Sequence, residues 1–128
     1  MRYLLDTQLI LWSSAHSQRL SSAALKILRD RANPLLFSVV SIWEIAIKRG
    51  LNKPEFQIDP DVLRNTMLRQ GLEEITVLGS HALAVAPLPP IHRDPFDRLL
   101  IAQAFVEGIT LLTADKTIAR YPGPIKKV

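Results

Sequence analysis

The chain has 128 residues, of which 48% are hydrophobic, 22% charged and 6% aromatic, and its 16 Lys+Arg against 12 Asp+Glu give a net charge of +4. A chain of this length removes roughly two-thirds of its unfolded surface from water and needs no staples, and the absence of cysteine excludes a disulfide scaffold, a thiolate zinc site and a cysteine nucleophile. No apolar run approaches the roughly 20 residues of a membrane helix, and Asp6 interrupts the first apolar run too early for a signal peptide, so the expectation is one cytoplasmic domain over 1–128 without a membrane partner.

Short runs rich in Leu, Val and Ile alternate with longer helical patterns, which is the order of an α/β fold with a largely parallel sheet. Tyr3 to Leu5 reads as the first strand, and Leu9 to Ser14 and Ser22 to Asp30 read as helices. After the Asn33-Pro34 turn, Leu35 to Ser38 is the second strand, followed by a helix from about Ile42 to Arg49 with Gly50 as its stop. Ser41 and Glu44 have the spacing of a capping box at its start. Residues 51–71 are more polar and read as a helical arm, in which Asp59 and Pro60 open a helix that Gly71 ends. Glu74 to Leu78 fits a third strand and Ser80 to Ala86 a short helix capped by Ser80. Pro87 to Pro90 must be an extended connection. Asp94 to Asp97 then opens the most apolar helix, through Leu99 to Val106, which Gly108 closes and which is expected to be buried. Ile109 to Thr113 is the fourth strand, and the Pro- and Lys-containing tail suits an edge strand or a loose end.

Four acids occupy equivalent places in this order. Asp6 and Asp115 follow strands, Glu44 lies in the first turn after the second strand, and Asp97 opens the apolar helix. The carboxyl ends of parallel strands and the starts of the following helices form one edge, where ligands bind, so these carboxylates are expected to converge. Each taken alone has a local reading as a cap or a dipole partner; four ionised carboxylates together do not, because Ser, Thr or Asn would cap as well. Two carboxylates about 5 Å apart at an effective dielectric near 20 repel by roughly 3 kcal/mol, and a divalent cation reverses that sign. An all-oxygen set suits Mg²⁺ or Mn²⁺, either of which activates water and neutralises phosphodiester oxygens.

Without those four, 8 acids face 16 bases, a balance that suits a polyanion. Lys48 and Arg49 one turn beyond Glu44, Arg93 and Arg98 around Asp97, and Lys116 beside Asp115 are the candidate phosphate contacts. Thr7 and Thr113 stand where a hydroxyl can orient a carboxylate or hold a metal-bound water, beside the local reading of each as a backbone cap. His16, His81 and His92 show no metal-ligand spacing and read as structural, and Trp12 and Trp43 fall in helical patterns and read as core.

Leu5-Asp6-Thr7, Ser41 to Lys48, Asp94 to Ala104 and Leu112 to Asp115 resemble, in this order, the motifs of PIN-domain ribonucleases, closely those of the VapC-like toxin group, and the similarity spans essentially the whole chain. The resemblance implies a three-layer α/β/α sandwich around a parallel sheet, Mg²⁺- or Mn²⁺-dependent cleavage of RNA, a homodimer, and a cognate antitoxin whose tail blocks the active site and which the 51–71 arm would clamp. It puts the four family acids on Asp6, Glu44, Asp97 and Asp115. Asp94 is a fifth acid, for the helix cap or the metal shell, and Lys116 stands as a competitor to a second ion. Two other readings share the fold class. A phosphoacceptor receiver domain resembles a pattern with paired acids after the first strand, whereas Asp6 is followed by Thr7-Gln8; a catalytically silent nucleic-acid or protein-binding module would bind RNA without cutting it. No G-x-G-x-x-G or G-x-S-x-G occurs, which argues against a dinucleotide site or a serine nucleophile.

Overall fold

The computed structural model describes residues 1–128. Five parallel strands, β1 (Tyr3–Leu5), β2 (Leu35–Ser38), β3 (Glu73–Ile75), β4 (Thr110–Thr113) and β5 (Ile125–Lys127), form one sheet in the order β3-β2-β1-β4-β5. β1 is therefore central, with Leu4 opposite Leu36 on one side and Leu111 on the other. In receiver-type sheets the third strand neighbours the first; here β3 is an edge beyond β2, and the receiver reading fails on topology.

Six helices complete the layers: α1 (Thr7–Ala15), α2 (Ser22–Arg29), α3 (Val39–Gly50), α4 (Pro60–Arg69), α5 (Gly79–Val85) and α6 (Pro95–Glu107). Because β1 side chains alternate between faces, Tyr3 and Leu5 enter one core with Leu9, Ile10, Leu63 and Met67, while Leu4 enters the other with Leu100, Ile101 and Ala104. α3 touches both, sending Ile45 into the first and Val40 into the second. Burial on both faces of the sheet explains why its strands read as unbroken apolar runs. No helix is long and apolar enough to cross a membrane.

Several local expectations shift. α3 begins at Val39, directly after β2, with the Ser38 hydroxyl accepting the Val40 N–H at 3.0 Å. Ser41 is thus inside the helix and there is no capping box at Ser41 and Glu44; the Ser41 hydroxyl instead accepts from Thr7 Oγ1 at 2.9 Å. In the 51–71 segment a 3₁₀ turn (Pro54–Phe56) precedes α4, capped by Asp59 as expected, and α4 is seated on the first core through Leu63 and Met67. α5 is capped at Leu78, not by Ser80, with the Leu78 N–H donating to His81 Nδ1 at 3.0 Å. α6 is buried only over Leu100–Ala104, and Phe105 and Val106 reach solvent. It ends at Gly108, whose φ of 65° is the left-handed stop that glycine adopts without strain. The tail resolves as edge strand β5.

Candidate metal centre

Asp6, Glu44, Asp94, Asp97 and Asp115 line a single cavity of about 370 Å³ at the carboxyl edge of the sheet, together with Thr7, Trp12, Lys48 and Phe56. A larger cavity of about 580 Å³, lined mostly by apolar residues from α1, α2 and α4, lies apart from the acids. Each acid arrives from a different local device. Asp6 ends β1 and caps α1, its Oδ1 accepting the Leu9 N–H at 2.8 Å. Glu44 is carried by the second turn of α3 and is only 4% exposed. Asp94 caps α6, its Oδ1 accepting the N–H groups of Phe96 at 2.8 Å and Asp97 at 3.2 Å. Asp97 follows in the first turn of α6, where the helix dipole favours an anion. Asp115 lies beyond β4, where its Oδ1 accepts from the N–H groups of Thr117 and Ile118 and opens a 3₁₀ turn (Ile118–Arg120).

Thr113 ties two of them together. Its hydroxyl donates to Asp6 Oδ2 and accepts the Asp115 N–H at 3.0 Å. Thr7 reaches Ser41 instead and touches no carboxylate through its hydroxyl.

The pocket is electrostatically costly without a cation. Burial pushes the Asp6 carboxyl up to about 7, against the hydrogen bonds from Thr113 and Leu9 and with help from the charges of Asp97 and Asp115. Burial, then the charges of Asp94 and Glu44, push Asp97 up to about 6. Glu44 Oε1 is buried with no hydrogen-bond partner. A buried carboxylate oxygen left unpaired costs several kcal/mol (about 1–3 for the hydrogen bond alone), and a hard cation with oxygen ligands relieves it. The donor set therefore fits a divalent ion.

Other predicted residues fall in two groups. Arg93 and Lys116 stand exposed, and Arg49 is a surface residue 4.0 Å from Asp59. Lys48 is not on the surface but in the cavity, its Nζ 2.6 Å from Glu44 Oε2 and 3.3 Å from Asp94 Oδ2. Arg98 is removed from the phosphate-binding set: its guanidinium donates to the carbonyls of Pro89, Val85 and Leu88 and to Tyr121 Oη, clamping the Pro-rich connection to the body of the protein. Trp43 is 56% exposed and packs edge-on against Phe96 with ring centroids 4.9 Å apart, so its place in the core is corrected. Trp12 is partly buried beside the acids, its Nε1 without a partner.

His92 was not among the expected site residues. Its Nε2 lies 2.7 Å from Asp97 Oδ2, and ligand atoms of His92, Asp97 and Asp115 all lie within 4.8 Å of one another. The signal was its position just before the α6 cap, not a spacing between like ligands; the turn at Pro90 and Ile91, followed by the His92 N–H donating to Tyr121 Oη at 2.7 Å, brings it onto Asp97.

The PIN domain family model matches residues 3–124. Ribonuclease VapC22 of Mycobacterium tuberculosis is 33% identical over 125 residues, 95% of each chain. Among solved structures, a chain of VapBC2 from Rickettsia felis bound to a promoter DNA fragment superposes with a TM-score of 0.75 at 18% identity, covering 100% of this chain and 99% of that one. A chain of DNA-bound VapBC from Salmonella typhimurium gives 0.69 at 15% identity, covering 99% and 98%.

Proposed function

The chain belongs to the PIN-domain family, and from that premise we propose that it is a metal-dependent endoribonuclease, the toxin of a toxin–antitoxin pair. One observation carries the reading: Glu44, whose buried Oε1 has no partner, lines the same cavity as Asp6, Asp97 and Asp115. Asp6, Glu44, Asp97 and Asp115 would hold the ion, and the all-oxygen donors favour Mg²⁺ or Mn²⁺. When bound, such an ion lowers the pKa of a water and neutralises the oxygens of a phosphodiester under in-line attack. The chain's own residues prepare that chemistry. Thr113 fixes Asp6, His92 fixes Asp97 through Oδ2, and the Asp94 cap sets the first turn of α6 that carries Asp97. Arg93 and Lys116, free in solvent beside Asp94 and Asp115, are placed to draw an RNA backbone toward the acids.

The antitoxin belongs to the same proposal. The cleft between α1, α2 and α4, lined by Ile10, Leu28, Ile58, Val62 and Met67, is an apolar seat for a partner segment from the antitoxin, and the similar solved structures are of VapBC, which supports a partner of that kind. Trp43 and Ile47 on α3 and Leu83 on α5 leave apolar surface in water that a second copy of this chain would cover, in support of a homodimer. The test is cleavage of single-stranded RNA by the purified protein with Mg²⁺ or Mn²⁺. Cutting is expected to stop in EDTA and in Asp6→Asn, Glu44→Gln and Asp97→Asn with circular dichroism unchanged. Undiminished cutting in EDTA, or in these variants, would overturn the assignment.

A further inference from the structure

The cavity already contains a cation that belongs to the protein. Lys48 lies one helical turn beyond Glu44, and this spacing on α3 brings its Nζ to 2.6 Å from Glu44 Oε2. From there it spans to Asp94 Oδ2 on α6 at 3.3 Å. Two aromatic rings flank it, Phe56 with its centroid 5.0 Å from Nζ and Phe96 at 5.5 Å. The side chain is 23% exposed, so the ammonium is largely shielded from water and held by charge and ring faces together.

We propose that the Lys48 ammonium stands where a second divalent ion would otherwise bind between Glu44 and Asp94, so that the pocket takes one divalent ion per chain. This rests on the metal-dependent reading above and adds the number of ions to it. Asp94 gives Oδ1 to the α6 cap and Oδ2 to Lys48, so an ion on Asp94 would have to compete with the ammonium for Oδ2. Glu44 gives Oε2 to Lys48 and keeps Oε1 unpaired. Asp97 gives Oδ2 to His92, and Asp115 gives Oδ1 to the turn that follows it, leaving one oxygen on each. Glu44, Asp97 and Asp115 thus each keep an oxygen free of hydrogen bonds, and all three line one cavity with Asp6. A second ion bridging Glu44 and Asp94 would have to displace Nζ from the two oxygens it holds. Lys116, which the sequence offered as the competitor to a second ion, is exposed and does not line the cavity.

The experiment is a count. Metal-free full-length protein is titrated with Mn²⁺ by calorimetry, and bound ion is counted independently by electron paramagnetic resonance. Wild type is expected to bind one ion, Lys48→Arg one, and Lys48→Met two, the second at least tenfold tighter than any second ion in wild type. Two ions in wild type would overturn the proposal, as would a single ion in folded Lys48→Met. Should Lys48→Met fail to fold, the wild-type and Lys48→Arg counts decide by themselves, one ion in each supporting the proposal and two in either refuting it. Wild type binding no ion would be a different failure, since it removes the metal-dependent reading underneath.

Discussion

In the metal-free protein, stability should fall as the pH is raised through the weakly acidic range. The Asp6 carboxyl has an ordinary pKa of 3.8 in the unfolded chain and is pushed up to about 7 by burial in the folded one. Below the unfolded value both states carry the proton, and the folded state has its full advantage. Between the two values the native state keeps a proton that the unfolded state has released, so each unit of rising pH removes about 1.4 kcal/mol. Over roughly three units the loss is on the order of 4 kcal/mol, complete once the pH exceeds the folded pKa. Asp97, raised to about 6, acts in the same direction up to that value. The two share one cavity, so their protons leave as a coupled pair. For a chain of this length the loss corresponds to a fall in Tm on the order of 10 °C. Thermal melts in EDTA from about pH 4 to about pH 8 measure it, with Asp6→Asn in parallel. The variant should lose the Asp6 contribution and keep only the smaller fall that Asp97 causes, which ends near pH 6. Saturating Mn²⁺ should offset the loss and stabilise the wild type increasingly as pH rises, since the ion binds the ionised carboxylates. A wild-type Tm that is flat or rising through this range in EDTA, or an Asp6→Asn profile as steep as wild type, would refute the reasoning.

Arg98→Ala should destabilise the protein by on the order of 3 kcal/mol in chemical denaturation, because it strips partners from the Pro89, Val85 and Leu88 carbonyls and from Tyr121. Arg93→Ala and Lys116→Ala should leave stability within about 0.5 kcal/mol and instead lower the salt dependence of RNA binding, by about 0.7 in the log–log slope for each lost contact to a single strand. A stable Arg98→Ala with a reduced salt slope would return Arg98 to the RNA-binding surface. Thr113→Val removes the hydroxyl shared by Asp6 and the Asp115 N–H and should cost about 1–3 kcal/mol. It should also weaken Mn²⁺ binding roughly tenfold, whereas Thr113→Ser should restore both; equal ion affinity in Val and wild type would show that the hydroxyl does not position Asp6.

Much of the architecture was written in local pattern. The strands were readable because both faces of the sheet are buried, which makes Leu4-Leu5, Leu36-Phe37 and Leu111-Leu112 unbroken apolar runs. The placement of Asp6, Glu44, Asp97 and Asp115 on one edge followed from parallel topology, since strand ends and helix starts coincide there. The start of α3 was misplaced because two serines compete as cap. Ser38 wins, since β2 runs into α3 without a loop, and a hydrogen bond from its hydroxyl to buried Gln103 Oε1 at 2.6 Å fixes it from across the fold. Such long-range partners are invisible to spacing rules. The same holds for His92, Arg98 and Lys48, whose roles depend on Asp97, on the carbonyls of the Pro-rich connection and on Asp94, all brought near by tertiary packing. Trp43 shows the limit of residue type as a guide to burial: it sits on α3 as the pattern required, but on the face that leaves the core.

The central claim is that side chains from distant parts of the chain converge to hold a divalent ion, and Mn²⁺-soaked crystals measured for anomalous scattering test it most directly. The account predicts one strong peak inside the cavity, with oxygens of Asp6, Glu44 and Asp97 at about 2.1 Å, the distance expected of small hard cations, and with Lys48 still seated between Glu44 and Asp94. No peak at saturating Mn²⁺, or a peak elsewhere on the protein with the five carboxylates unliganded, would contradict it.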